Sequence, residues 1–164
     1  MNLSEKTCSF INNYPEIIEN SDFKKLRDIP RHGYTNTFDH SMRVARLSYL
    51  MAKRIGVDKE STVRVALLHD FCLINYRAED YSKAPDEECY LIKHPKDAVV
   101  NSKEYGLTPK EERAILTHMF PLAPLPTSRI GWILTIADKI AAAYECCGGF
   151  FLNLASAYLG KSAV

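Results

Sequence analysis

Among the residues of kinds that hold metal ions or move protons, six stand out: His40, His69, Asp70, His94, His118 and Asp138. Their spacing decides what they can do. His40 is followed by Val44, Leu47 and Met51 at intervals of four, three and four, which puts its imidazole on the apolar face of a helix. His69 comes four residues after Val65 and three after Ala66, so it leans toward the core as well. Asp138 shares a helical face with Leu134, Ala141 and Ala142. A buried imidazole needs a partner, and a buried carboxylate is costly unless it is paired or bound to a cation. Two histidines and two carboxylates converging from three helices can hold a divalent metal and leave positions open for water. His94, directly before Pro95, is expected at a helix start, because proline disfavours the helical region for the residue before it. His118 is expected at a helix end. From such termini a side chain reaches an ion without competing for core space. Taken one at a time, each residue has an ordinary alternative: packing or solvent for a histidine, an arginine partner for Asp138.

The elements that must position these residues are helices. A first helical region is expected over about 4–19, with a break at Pro15. Ser21 can cap a short second helix that stops before Pro30. Thr35, Asn36 and Thr37 offer a cap for a long helix through Arg54, closed by Gly56. Another starts after Asp58 and runs toward His69 and Asp70. Residues 71–85 read as loop. Pro95 suits the first position of a helix through Tyr105. Thr108-Pro109-Lys110-Glu111 is a capping box with proline at the first helical position. That helix should end near Met119, ahead of a proline-rich loop over 119–126. A last long helix is expected over Arg129–Cys147, ended by Gly148 and Gly149, with a short one over Phe150–Tyr158. The fold class is therefore all-α: a helical bundle whose short loops place neighbours antiparallel.

Composition narrows the rest. The 164 residues fit one domain, 1–164, with one core. At 46% hydrophobic and 25% charged the chain has ordinary globular composition. A formal net charge of +1 gives no footprint for nucleic acid, so that partner is not expected. The N-terminus lacks a basic region followed by a long apolar run, and the richest apolar run, Ile130 to Tyr144, is interrupted by Asp138 and Lys139. Neither a membrane partner nor secretion is expected. Five cysteines with no C-x-x-C pair argue for reduced thiols in a cytoplasmic protein, and Cys146 and Cys147 read as packing residues.

The order H…HD…H…H…D, with FDHSMRVARLSYLMAKRIG, VALLHDF, KHP, ILTHM and TIADK around it, resembles the HD superfamily of metal-dependent phosphohydrolases over about 31–145. The two extra histidines make it similar to the dinuclear branch, which includes symmetrical dinucleoside tetraphosphatases. The resemblance implies that His40, His69, Asp70 and Asp138 bind a first metal, that His94 and His118 bind a second, and that Asp70 bridges them. The cofactor would be two divalent ions of iron, manganese, zinc or nickel. A water shared by the ions would be made acidic enough to attack phosphorus in line. The substrate would be a small phosphorylated molecule, with a nucleotide plausible by resemblance. Many relatives carry a glycine and a lysine soon after the HD pair, where this chain reads Phe71-Cys72-Leu73, so no role for that lysine carries over. Arg43, one turn after His40, and Lys139, next to Asp138, are the candidates for phosphate contacts. His32, in Arg31-His32-Gly33, is a candidate for touching substrate or leaving group. Tyr34, Tyr76, Tyr81 and Phe120 are of a kind that stacks on a base. Two other readings are a mixed-valent di-iron oxygenase, which shares the six-ligand pattern, and an idle regulatory module that keeps its metal for stability. Oligomeric state is not legible.

Overall fold

A computed structural model describes residues 7, 9–31, 35–74 and 90–159, with side chains as far as 148. Those residues form an all-α assembly; they contain no strand, only an isolated bridge between Pro30 and Asn36. His32 and Tyr34, and Tyr76 and Tyr81, lie outside the described residues.

Residues 7 and 9–11 are helical; after a turn come two short helices, α1 (Pro15–Ile18) and α2 (Ser21–Lys24). Proline starts α1, where its missing N–H costs nothing. The cap of α2 is Asn20 rather than Ser21: the Asn20 side-chain oxygen accepts from the backbone N–H of Asp22 and Phe23 at 2.8 and 3.1 Å. Ser21 is the first helical residue. A tight 3-10 turn over Lys25–Asp28 then leads to Pro30.

α3 (Thr37–Ile55) is the first helix to carry a metal-type ligand. Asn36 caps it through the Asp39 N–H at 2.8 Å, and Gly56 ends it at φ 68°, where only a residue without Cβ sits without strain. α4 (Lys59–Leu68) is capped by Asp58, and it stops just before the His69-Asp70 pair. α5 spans Tyr90–Asn101. Here the expectation of a start at Pro95 fails: Pro95 lies inside the helix and His94 with it. Proline removes one ladder bond, but the helix continues through it because His94, Pro95 and Ala98 are buried against the rest of the molecule. α6 (Pro109–Thr117) begins with the capping box: the Glu111 carboxylate accepts from the Thr108 N–H at 2.8 Å, and Thr108 Oγ1 accepts from the Glu111 N–H at 3.3 Å.

α7 (Arg129–Leu159) departs from expectation too. Gly148 and Gly149 do not end it, and the two expected helices are one. Glycine in a helix interior costs only about 1 kcal/mol relative to alanine, and neither glycine takes a positive φ. Cys146 and Cys147 are exposed on it rather than packed.

α3 packs chiefly on α4 and α7, and α7 on α6. Their inner faces enclose Val44, Leu67, Leu68, Ile115 and Leu134, all at or near zero exposure. Phe23 joins this core from α2, with its ring 5.4 Å from Phe38 and 5.5 Å from Phe71. No described helix is long and apolar enough to cross a membrane.

Candidate metal centre

The helices deliver their polar residues to one place. His40 comes from the first turn of α3. His69 caps the C-terminus of α4 and Asp70 follows in the turn. His94 comes from α5, His118 caps the C-terminus of α6, and Asp138 comes from α7. All six are buried, none more than 4% exposed. Their ligand atoms fall into two overlapping groups, His40–His69–Asp70–Asp138 and Asp70–His94–His118, and within each group the atoms lie no more than 4.8 Å apart. Asp70 belongs to both. Its Oδ2 lies 3.2 Å from His69 Nε2 and 3.6 Å from His40 Nε2; its Oδ1 lies 3.3 Å from His94 Nε2 and 3.9 Å from His118 Nε2. Asp138 Oδ1 is 3.1 Å from His40 Nε2 and 3.8 Å from His69 Nε2.

Every imidazole presents the same atom, for a reason set by its other nitrogen. Nδ1–H of His69 donates to the Ala66 carbonyl at 2.8 Å, that of His94 to Tyr90 at 2.8 Å, and that of His118 to Ile115 at 2.7 Å. His40 Nδ1–H donates to Glu145 Oε2 at 2.9 Å. A carbonyl or carboxylate can only accept, so each Nδ1 carries a proton and each Nε2 faces inward, as a lone pair on a neutral ring and as an N–H donor on a charged one. This is how metal-ligating histidines are oriented.

The cluster does not satisfy itself. His94 Nε2 and His118 Nε2 face each other at 3.3 Å, two lone pairs that repel unless a proton or a cation lies between them. Neither oxygen of Asp70, nor His69 Nε2, has a well-aligned hydrogen-bond partner. Arg31 Nη2 does lie 2.6 Å from Asp70 Oδ2 as an ion-pair partner, and Arg31 also bonds the Tyr90 hydroxyl. Buried atoms of this kind are normally paired, so the donor set fits a divalent cation in each group.

The electrostatics agree with that fit. Burial opposes ionisation of Asp70, but the Arg31 and His69 charges hold its carboxyl well below the usual range. Burial opposes ionisation of Asp138 too, and the hydrogen bond from His40 outweighs it, so this carboxyl is also held well below the usual range. Burial works against a charged His69, yet the Asp70 carboxylate pushes it up to about 10. His118 goes the other way: burial, then the neighbouring His69 charge, push it down to about 3. In the metal-free chain a proton on His69 stands where a cation would neutralise Asp70.

The outer candidates are placed less centrally. Lys139 Nζ lies 3.1 Å from Asp138 Oδ2 and 3.3 Å from the His118 carbonyl, with its side chain 46% exposed, at the edge of the cluster. Arg43 is committed to Glu145 and lies over the Tyr144 ring at 5.4 Å. Phe120 makes an edge contact with Trp132. Glu145 was not among the residues singled out by sequence, although a signal existed: it stands seven residues after Asp138, two turns along the same face.

A family model described as HD domain matches residues 37–143, well over half of the chain. All six clustered residues fall within that stretch. Arg31 and Glu145 fall outside it.

Proposed function

Since the chain belongs to the HD domain family, a superfamily of metal-dependent phosphohydrolases, we propose that it hydrolyses a phosphate ester or anhydride of a small molecule, a nucleotide among the candidates. The observation that carries this reading is the pair of ligand groups sharing Asp70. His40, His69, Asp70 and Asp138 would hold one divalent ion; Asp70, His94 and His118 would hold the second. When bound, such ions supply hydroxide near neutral pH and neutralise charge that builds on phosphoryl oxygens.

The chain's own residues do the rest. Four backbone and side-chain acceptors lock the imidazoles as Nε2 donors, so the ligands need no reorganisation on loading. Lys139, half-exposed at the rim, is the cation free to swing from Asp138 to a substrate phosphate. Arg43 could contact phosphate only by leaving Glu145, which makes Lys139 the stronger candidate. Burial of the ligands keeps the dielectric low, and charge stabilisation is worth more there than in water.

The test is metal content by mass spectrometry on protein purified without added metal or a histidine tag, paired with a phosphatase screen. The expected result is near two ions per chain and phosphate released from at least one substrate. Two irons with no phosphate released would replace this reading with dioxygen chemistry. No metal and no activity, even after manganese or iron is supplied, would overturn it.

A further inference from the structure

Three of the four imidazoles are braced locally. His69 and His118 donate to the carbonyl three residues back, and His94 to the carbonyl four back. Such a bond comes with the helix and would survive many changes elsewhere. His40 differs. Its Nδ1–H reaches across to α7, 105 positions along the chain, and meets a carboxylate rather than a carbonyl. That carboxylate, Glu145, is 7% exposed, and its other oxygen is held by Arg43, one turn after His40 on α3. The His40–Glu145–Arg43 set therefore ties α3 to α7 directly behind one ligand.

We propose that Glu145 is a positioning residue of the metal centre: it fixes His40 as an Nε2 donor, raises its basicity, and makes the His40–His69–Asp70–Asp138 group load before the Asp70–His94–His118 group. This rests on the reading of the cluster as a two-ion site. A carboxylate acceptor polarises an imidazole more than a neutral carbonyl does. Charge points the same way. The first group contains two carboxylates, Asp70 and Asp138, with Glu145 behind it, each also paired with a cation (Arg31, Lys139 and Arg43), whereas the second contains only Asp70, which it shares. The stretch matched by the family model ends at residue 143, two residues before Glu145.

The experiment is a calorimetric titration of chelator-stripped protein with Mn²⁺, repeated with Fe²⁺ under anaerobic conditions, for the unsubstituted chain, E145Q and H118A. E145Q keeps an acceptor for Nδ1–H and removes its charge. The unsubstituted chain should bind two ions in sequence. E145Q should weaken the first step by about 10- to 100-fold, the usual cost of losing such a partner, and leave the second within about twofold. H118A should keep the tight step and lose the weak one. If the unsubstituted chain binds neither ion, the two-ion reading itself falls. If it binds two and E145Q gives the same isotherm, Glu145 has no positioning role; if H118A loses the tight step, the loading order is reversed. Should E145Q not fold, the ring nitrogens of His40 decide the matter by NMR in the unsubstituted chain loaded with diamagnetic Zn²⁺. A proton on Nδ1 is expected, and a proton on Nε2 would overturn the proposal.

Discussion

Two buried regions meet between Asp70 and Phe71, and they are closed by opposite means. On the Phe71 side, Phe23, Leu26, Leu67, Ile115 and Leu134 exclude water and satisfy one another by packing alone. On the Asp70 side, four imidazoles and two carboxylates are as deeply buried; Arg31 and Lys139 pair with the carboxylates, while Nε2 of His94 and of His118 face each other. The first region needs nothing added to be stable. The second carries the desolvation cost of ionised groups and gathers donors that could hold divalent cations. Adjacent residues thus divide the interior into a part that is apolar and a part that is ionised and suited to a ligand.

The contrast is broken most severely at Asp70. Asp70→Ala removes the one ligand common to both groups, so mass spectrometry should find most of the metal gone, and turnover should fall below detection. It also leaves Arg31 buried without its anion, a change that typically costs about 3–5 kcal/mol, so a lower melting temperature is expected alongside. Full metal content and full rate in this variant would mean that Asp70 is not shared between ions.

Phe23→Ala attacks the other region. Deleting a fully buried phenylalanine costs about 3–5 kcal/mol, here with loss of its contacts to Phe38 and Phe71. Urea unfolding should show that loss, while the folded fraction retains its metal stoichiometry. Metal lost from the folded variant would show that the two regions are not separable.

A smaller effect should appear in the pH dependence of metal affinity. His69 is held at about 10 in the metal-free chain, and its Nδ1 already donates to Ala66, so the extra proton occupies Nε2, the ligand atom. A metal entering this group must displace it. The sign follows: affinity falls as pH falls, by about tenfold per unit for each proton displaced, and it levels off only as pH approaches the His69 value. Calorimetry in buffers of differing ionisation enthalpy should detect at least one proton released per first ion near pH 7. No release would mean that His69 is already neutral before the metal arrives.

Much of this was legible in the sequence where a signal is local. The α6 capping box, the Asn36 cap and Gly56 lie within a few residues of what they control, and the apolar spacing around His40 turns directly into burial. Two boundaries differ from the local reading: Pro95 stays inside α5, where burial of His94, Pro95 and Ala98 overrides its local preference, and the glycine pair stays inside α7, where neither takes the positive φ that ends a helix. Among site residues, the six in the H…HD…H…H…D order stood out by type and spacing. Glu145 and the Arg31–Asp70 pair did not, because a carboxylate behind a histidine or an arginine beside an aspartate is defined by contacts between helices distant in sequence.

The smallest effect expected lies at α6, which serves both regions: Ile115 packs in the apolar core and His118 faces Asp70. Thr108→Ala removes the side-chain half of the capping box, at a cost of about 1 kcal/mol. The lost bonds, Glu111 N–H to Thr108 Oγ1 and Thr108 Oγ1–H to Glu111 Oε2, are at the opposite end of the helix from His118, roughly 15 Å away at 1.5 Å per residue. His118 is oriented by the carbonyl of Ile115, three residues back, and needs nothing from the first turn. Unfolding should therefore shift by about 1 kcal/mol while the affinity for the second ion stays within about twofold. If that affinity fell with stability, α6 would be transmitting fraying at its start to the ligand at its end, and the local brace on His118 would be weaker than a 2.7 Å bond to its own helix implies.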